Sequence, residues 1–127
     1  MYAVLVVDDS SAHRRLTRVW LDAAGAFTVT ESASAADGLA RIAADRPDCV
    51  VLDHVLPPAD GLQVLAALRG YPTPPPVVLF TCGLTDELRR NALALGAVAC
   101  LDKSKTAGPD LAHAVLTAVL ARARGTA

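Results

Sequence analysis

Residues 3–11 read Ala3-Val4-Leu5-Val6-Val7-Asp8-Asp9-Ser10-Ser11, and this stretch decides the fold. A continuous, Val-rich apolar run is the signature of a strand buried on both faces. It stops at two acids, and Ser10 or Ser11 can then cap a helix. In the segment that follows, Ala12, Leu16, Val19, Trp20 and Ala23 recur at helical spacing, Arg14, Arg15 and Arg18 fall elsewhere, and Gly25 ends the helix.

The same unit repeats along the chain. Ala26 to Glu31 alternates as a second strand, and Ser34 caps a helix in which Ala35, Leu39, Ile42 and Ala43 share a face, stopped by Pro47. Cys49 to Asp53 is a third strand, followed by a loop with Pro57 and Pro58 and a helix striped by Gly61, Val64, Leu65 and Leu68. Tyr71 to Pro76 is a stiff connector. A fourth strand spans Val77 to Thr81, a helix Thr85 to Leu95, and a fifth strand Val98 to Asp102. Pro109 opens the last helix, striped by Leu111, Val115, Leu116, Val119 and Leu120. Five βα units imply an α/β fold with a parallel sheet covered on both faces.

The bulk numbers agree with one globular domain. The chain has 127 residues, 53% of them apolar and 20% charged, with a net charge of −1. That balance excludes a disordered chain and gives no electrostatic pointer to nucleic acid. The start has no basic region ahead of its apolar run, and no apolar run is long enough to span a bilayer. Neither a membrane nor a nucleic acid is therefore an expected partner. Cys49, Cys82 and Cys100 form no metal-type pair and read as buried free thiols, which suggests the cytoplasm. The expected boundaries are a domain over 1–124 and a short tail over 125–127.

In a parallel α/β sheet the working residues collect at the carboxyl ends of the strands. Here those ends carry Asp8 and Asp9, then Asp53, then Thr81, then Lys103. Three like charges in one pocket repel, and a divalent cation resolves this. Oxygen ligands of this type suit Mg²⁺. Asp53 can then attack phosphorus as a carboxylate nucleophile, with the metal and Lys103 offsetting charge on the transferring group. Thr81 can donate to a phosphoryl oxygen. Taken singly, Asp9 could be a helix cap, Thr81 an ordinary strand residue and Lys103 a solvated lysine. Their joint occurrence at successive strand ends is what points to a site.

The chain resembles the receiver domains of two-component response regulators over residues 1 to about 122. Val6-Val7-Asp8-Asp9-Ser10 is similar to their acidic pair, and Asp53-His54-Val55-Leu56-Pro57-Pro58-Ala59-Asp60-Gly61 to their phosphoacceptor stretch. Leu79-Phe80-Thr81 resembles the switch segment and Cys100-Leu101-Asp102-Lys103 the strand that delivers the family's lysine. The resemblance implies a doubly wound (βα)5 flavodoxin-like sheet of order 2-1-3-4-5. It implies Mg²⁺ on Asp8, Asp9, Asp53 and the backbone carbonyl of Val55, an acyl phosphate on Asp53, and Lys103 and Thr81 on the phosphoryl group. A sensor histidine kinase or a histidine phosphotransfer protein is the implied donor. His13, Arg14, Thr17, Ser104 and Lys105 are the implied docking residues. With no output domain in the sequence, the message is expected to pass by binding a downstream protein, with homodimerisation also open.

Three positions depart from the commonest pattern. Cys100 stands where the family usually has Tyr or Phe, so an aromatic switch is unavailable there. Ser104 replaces the usual Pro, so a trans Lys103–Ser104 bond is expected. Val55 and Gly83 flank the site and cannot orient a water by hydrogen bonding, so dephosphorylation is expected to be slow. His54, next to Asp53 on a strand, should point to the opposite face. Two other classes fit less well. An aspartyl phosphatase would want Asp-x-Asp after the first strand, and a dinucleotide enzyme a Gly-rich turn. A receiver-like adaptor working without phosphorylation is the main alternative; no enzymatic role beyond its own phosphoryl chemistry is expected.

Overall fold

The computed structural model describes residues 1–124, so the tail expected over 125–127 lies outside the described residues. The strands are β1 (Tyr2–Val7), β2 (Phe27–Ser32), β3 (Cys49–Leu52), β4 (Val55–Leu56), β5 (Ala59–Asp60), β6 (Val77–Thr81) and β7 (Ala99–Asp102). The helices are α1 (Ser11–Ala23), α2 (Ala35–Asp45), α3 (Gly61–Leu68), α4 (Asp86–Ala94) and α5 (Gly108–Ala123). Five strands form one parallel sheet in the order β2-β1-β3-β6-β7, the expected doubly wound pattern.

The central strands are the apolar runs of the sequence, buried end to end. Alternate residues face opposite sides of the sheet, and two cores follow. Leu5, Val7, Val50, Leu52 and Leu79 pack with Ile42 and with Val64, Leu65 and Leu68 of α3. Val4, Val6, Val51, Val78 and Phe80 pack with Leu21 of α1 and with Leu111, Val115 and Val119 of α5. The expected caps Ser10 and Ser34 accept from the His13 and Asp37 amides, Thr85, expected as the first residue of its helix, is the cap of α4 and accepts from the Leu88 amide, and Gly25 takes a positive φ of 73° just past α1.

Two expectations need correction. The loop expected around Pro57 and Pro58 is a short antiparallel hairpin, β4 with β5, and Asp60 and Gln63 form a capping box that launches α3 from it. On α1, the stripe of Leu16, Val19 and Trp20 is not the buried face. Thr17 and Leu21 are buried, Trp20 is half-buried edge-on to Phe80, and Leu16 and Val19 are 47% and 55% exposed. The amino end of α5 explains the tilt: a Cβ at Gly108 would lie 2.5 Å from the Trp20 ring, so α5 occupies the space beside that ring.

This assignment has a direct test. Leu21→Ala is expected to destabilise the chain by about 2–5 kcal/mol, as large-to-small core changes do. Leu16→Ala is expected to stay within about 0.5 kcal/mol, as surface changes do. Urea denaturation of the two variants distinguishes them.

Candidate functional site

Strand register builds the site. Val7 of β1 pairs with Leu52 of β3, so the next residues, Asp8 and Asp53, lie side by side, and the Asp53 amide donates to the Val7 carbonyl at 2.9 Å. Thr81 of β6 pairs with Asp102 of β7, so Lys103 follows beside Thr81, and its amide donates to the Thr81 carbonyl at 3.0 Å. Asp8, Asp53 and Thr81 are buried, and the Lys103 side chain is only 9% exposed.

The Lys103 ammonium donates to Asp8 Oδ2 at 2.5 Å and to Asp53 Oδ2 at 3.4 Å. It also lies 3.2 Å from His13 Nδ1 and 6.0 Å from the centre of the Phe80 ring. Asp8 Oδ1 accepts from the Ser10 amide at 2.9 Å and Asp53 Oδ1 from the His54 amide at 2.8 Å, which fixes both carboxylates. One oxygen each from Asp8, Asp9 and Asp53 lies within 4.8 Å of the others, with Asp9 exposed at the rim. Two carboxylates pair with the one ammonium and a third stands at the rim, so carboxylates outnumber ammonium groups in the cluster. Its donors are hard oxygens, the set that suits a divalent cation. The residues present therefore fit the metal pocket that the resemblance implies.

Neighbouring residues hold this pocket in shape. Arg14 donates to the Asp8 backbone carbonyl at 2.7 Å and to Glu31 at 3.2 Å, and Arg18 also pairs with Glu31, so α1 is tied to the end of β2. Burial pushes the Glu31 carboxyl up, but its bonds to Arg18 and Arg14 outweigh this and hold it below the usual carboxylate range. At Gly61 a Cβ would lie 2.8 Å from the Asp53 carbonyl, so only glycine lets α3 start this close to Asp53. Asp102 Oδ2 accepts from the Leu84 amide at 3.1 Å and Oδ1 from the Ser104 amide at 2.9 Å and hydroxyl at 2.6 Å. The Ser104 hydrogen bonds above all, and the Leu84 amide besides, hold the Asp102 carboxyl below its usual range. The Lys103–Ser104 peptide is trans, as expected.

The expected site residues Asp8, Asp9, Asp53, Thr81 and Lys103 are thus brought together. Val55 sits exposed in β4, two residues from Asp53. Among the five docking candidates, His13, Ser104 and Lys105 are exposed, Arg14 is engaged in its ion pair, and Thr17 is buried rather than on the surface. His13, Leu16, Trp20, Cys82 and Ser104 line a groove of about 170 Å³ that opens beside Lys103. The expectation of three buried thiols holds for Cys49 and Cys100, but Cys82 is exposed one residue past Thr81. His54 Nδ1 is buried without a hydrogen-bond partner among the described residues. Sequence reasoning missed the His13 contact and the Asp102 clamp. The second was signalled by Asp102-Lys103-Ser104, since an Asp two residues before a Ser amide is the pattern of a side-chain turn.

Comparison with known proteins agrees with this geometry. The family profile described as response regulator receiver domain matches residues 4–115. A protein-glutamate methylesterase/protein-glutamine glutaminase of Anaeromyxobacter dehalogenans is 36% identical over 98% of this chain and 38% of its own length. The response regulator MprA of Mycobacterium tuberculosis is 37% identical over 74% of this chain and 40% of its own. The chain therefore spans well under half the length of these curated relatives. The signal receiver domain of the response regulator NarL from Mycobacterium tuberculosis is 32% identical with a TM-score of 0.88, over 94% of this chain and 96% of that one. A CheY-like receiver domain from Methanospirillum hungatei has a TM-score of 0.89 over 98% of each chain; at 22% identity it speaks for the fold alone.

Two predictions follow from the burial and charge of these groups. Burial pushes the Cys49 thiol up to about 12 and the Cys100 thiol upward as well. Iodoacetamide is therefore expected to label Cys82 alone in the native chain and all three thiols after unfolding, as read by peptide mass. Because the folded-state pKa of Glu31 is depressed, its stabilising contribution is present at neutral pH and lost as pH falls through that depressed value. The stability gap between wild type and Glu31→Gln is expected to shrink on acidification below the carboxylate range, measured by denaturant unfolding at several pH values.

Proposed function

The chain belongs to the response regulator receiver domain family, and from that premise we propose that Asp53 is its phosphoacceptor and residues 1–124 its receiver domain. It is a phosphoacceptor signalling module. The observation that carries the assignment to Asp53 is the cluster at the strand ends, where this buried carboxylate lies beside Asp8, Asp9 and the Lys103 ammonium.

Each residue has a role that its position supports. Asp53 supplies the attacking oxygen, and its other oxygen is kept in place by the His54 amide. Lys103 stabilises charge on the phosphoryl oxygens from a site already aimed between two carboxylates. Thr81, at the end of β6, donates to the phosphoryl group once it has arrived and carries the change to α4. Asp8, Asp9, Asp53 and the Val55 carbonyl are the residues that would hold Mg²⁺. When bound, the ion offsets the carboxylate charge and that of the transferring group.

The phosphodonor is a sensor histidine kinase or a histidine phosphotransfer protein. It docks on the surface around His13, Ser104 and Lys105, where the exposed Leu16 and Val19 of α1 offer apolar contact beside the pocket. Output passes to a downstream protein. No helix among the described residues is long and apolar enough to cross a membrane, and the free thiols support a cytoplasmic setting. The exposed Val55 and Gly83 have no group that could orient a water, which supports slow loss of the phosphoryl group.

Incubation with acetyl phosphate and Mg²⁺ is expected to add one phosphoryl group to the intact mass. The gain should be absent without Mg²⁺ and in Asp53→Asn, and it should outlast removal of the donor by minutes. No gain under any condition would favour the adaptor reading.

A further inference from the structure

An ammonium has three N–H donors and no acceptor. Lys103 directs them at Asp8, Asp53 and His13 Nδ1, and phosphoryl transfer as read above uses only the carboxylates. The third partner is different in kind. A nitrogen can accept from an ammonium only while it carries no proton itself, so the contact calls for the tautomer with its proton on Nε2. The residue stands in the first turn of α1, where the Ser10 side chain accepts from its backbone amide at 3.2 Å. The Phe80 ring flanks the same ammonium.

We propose that His13 is a positioning residue for phosphoryl transfer, holding the Lys103 ammonium over the pocket without neutralising it. This rests on the reading of Asp53 as phosphoacceptor. Both carboxylate partners of Lys103 are called away in the reaction: Asp8 to the cation it would help bind, and an Asp53 oxygen to phosphorus. Neither event touches the bond to His13. Lysine has a flexible four-carbon stem, and with the carboxylates engaged His13 is the partner that keeps its head in place. The imidazole is uncharged, so the full positive charge remains for the phosphoryl oxygens.

In the transfer itself, the bond from phosphorus to the acetate oxygen of acetyl phosphate breaks and a bond from phosphorus to an Asp53 oxygen forms. Acetate leaves with the electron pair. No proton moves to or from His13, so it is no general base. An exposed histidine is otherwise a solvated surface residue or a docking contact. A small-molecule donor separates these, because acetyl phosphate needs no protein docking surface.

The test uses the full chain with acetyl phosphate at saturating Mg²⁺, the rate being followed by intact mass. His13→Ala is expected to slow phosphorylation about tenfold, the effect of losing one hydrogen bond to a charged group, with an unchanged melting temperature. His13→Asn, which keeps an acceptor at the same position, is expected to restore most of the rate. His13→Lys, which places a second cation there, is expected to be at least as slow as the Ala variant. Nitrogen-15 NMR of the wild type is expected to show an unprotonated Nδ1 whose shift moves in Lys103→Met. An Ala variant that keeps pace with a phosphorylated wild type, an Asn variant as slow as Ala, or a protonated Nδ1 would each overturn the proposal alone. A wild type that takes up no phosphoryl group would overturn the phosphoacceptor reading and this proposal with it.

Discussion

The Lys103 ammonium, seated between the carboxylates of Asp8 and Asp53, closes the site from the far end of the chain. It joins the loop after the last strand to the loops after the first and third, across 95 residues of sequence. Buried carboxylates side by side repel, and burial removes the water that would screen them. One ammonium relieves this only in part, since a third carboxylate, Asp9, stands at the rim. The pocket is therefore folded with charge left over. The charge left over is of the sign that a bound cation would offset. A pocket neutralised completely by its own side chains would gain nothing from one.

The sheet is what allows so exposed a requirement to be met so exactly in space. In a parallel sheet each strand ends at the same edge, and register alone decides which terminal residues meet. Val7 opposite Leu52 and Thr81 opposite Asp102 place Asp8 beside Asp53 and Lys103 beside Thr81. The two apolar cores hold that register, because a one-residue slip would turn every side chain of a strand to the other face. Stability and function thus share one cause: the apolar runs that bury the strands also aim their polar ends.

For the same reason the sheet and the site were legible from sequence, while several local features were not. A buried parallel strand announces itself as an apolar run, and the first polar residue after the run marks its carboxyl end. Helix faces are less explicit. Leu16 and Val19 recur at helical spacing, yet Thr17 and Leu21 face the core, because the bulk of Trp20 and the approach of α5 at Gly108 set the rotation of α1. Spacing identifies a helix; what packs on it decides which side is inward. The hairpin of β4 and β5 was hidden for another reason: with two residues in each strand and Pro57-Pro58 between them, it has no alternation long enough to read. Cys82 was assigned to the interior by the habit of its residue type, whereas its place just past β6 puts it on the surface.

The positions where the chain departs from its family bear on how the two loops around the pocket are connected. Cys100 is buried beneath α4, and Arg89 of that helix donates to its carbonyl at 3.1 Å. A small thiol there has no ring to swing between two positions. Two residues further along the strand stands a set of hydrogen bonds. Asp102 holds the Leu84 amide of the β6–α4 loop with one oxygen and Ser104 of the β7–α5 loop with the other. Ser104, where the family commonly has Pro, supplies both an amide and a hydroxyl to that clamp, and a proline could supply neither. Asp102 thereby ties the β6–α4 loop, which follows Thr81, to the segment carrying Lys103. The chain that has Cys100 in place of the usual aromatic thus carries, two residues on, a side-chain clamp between the loops on either side of the pocket.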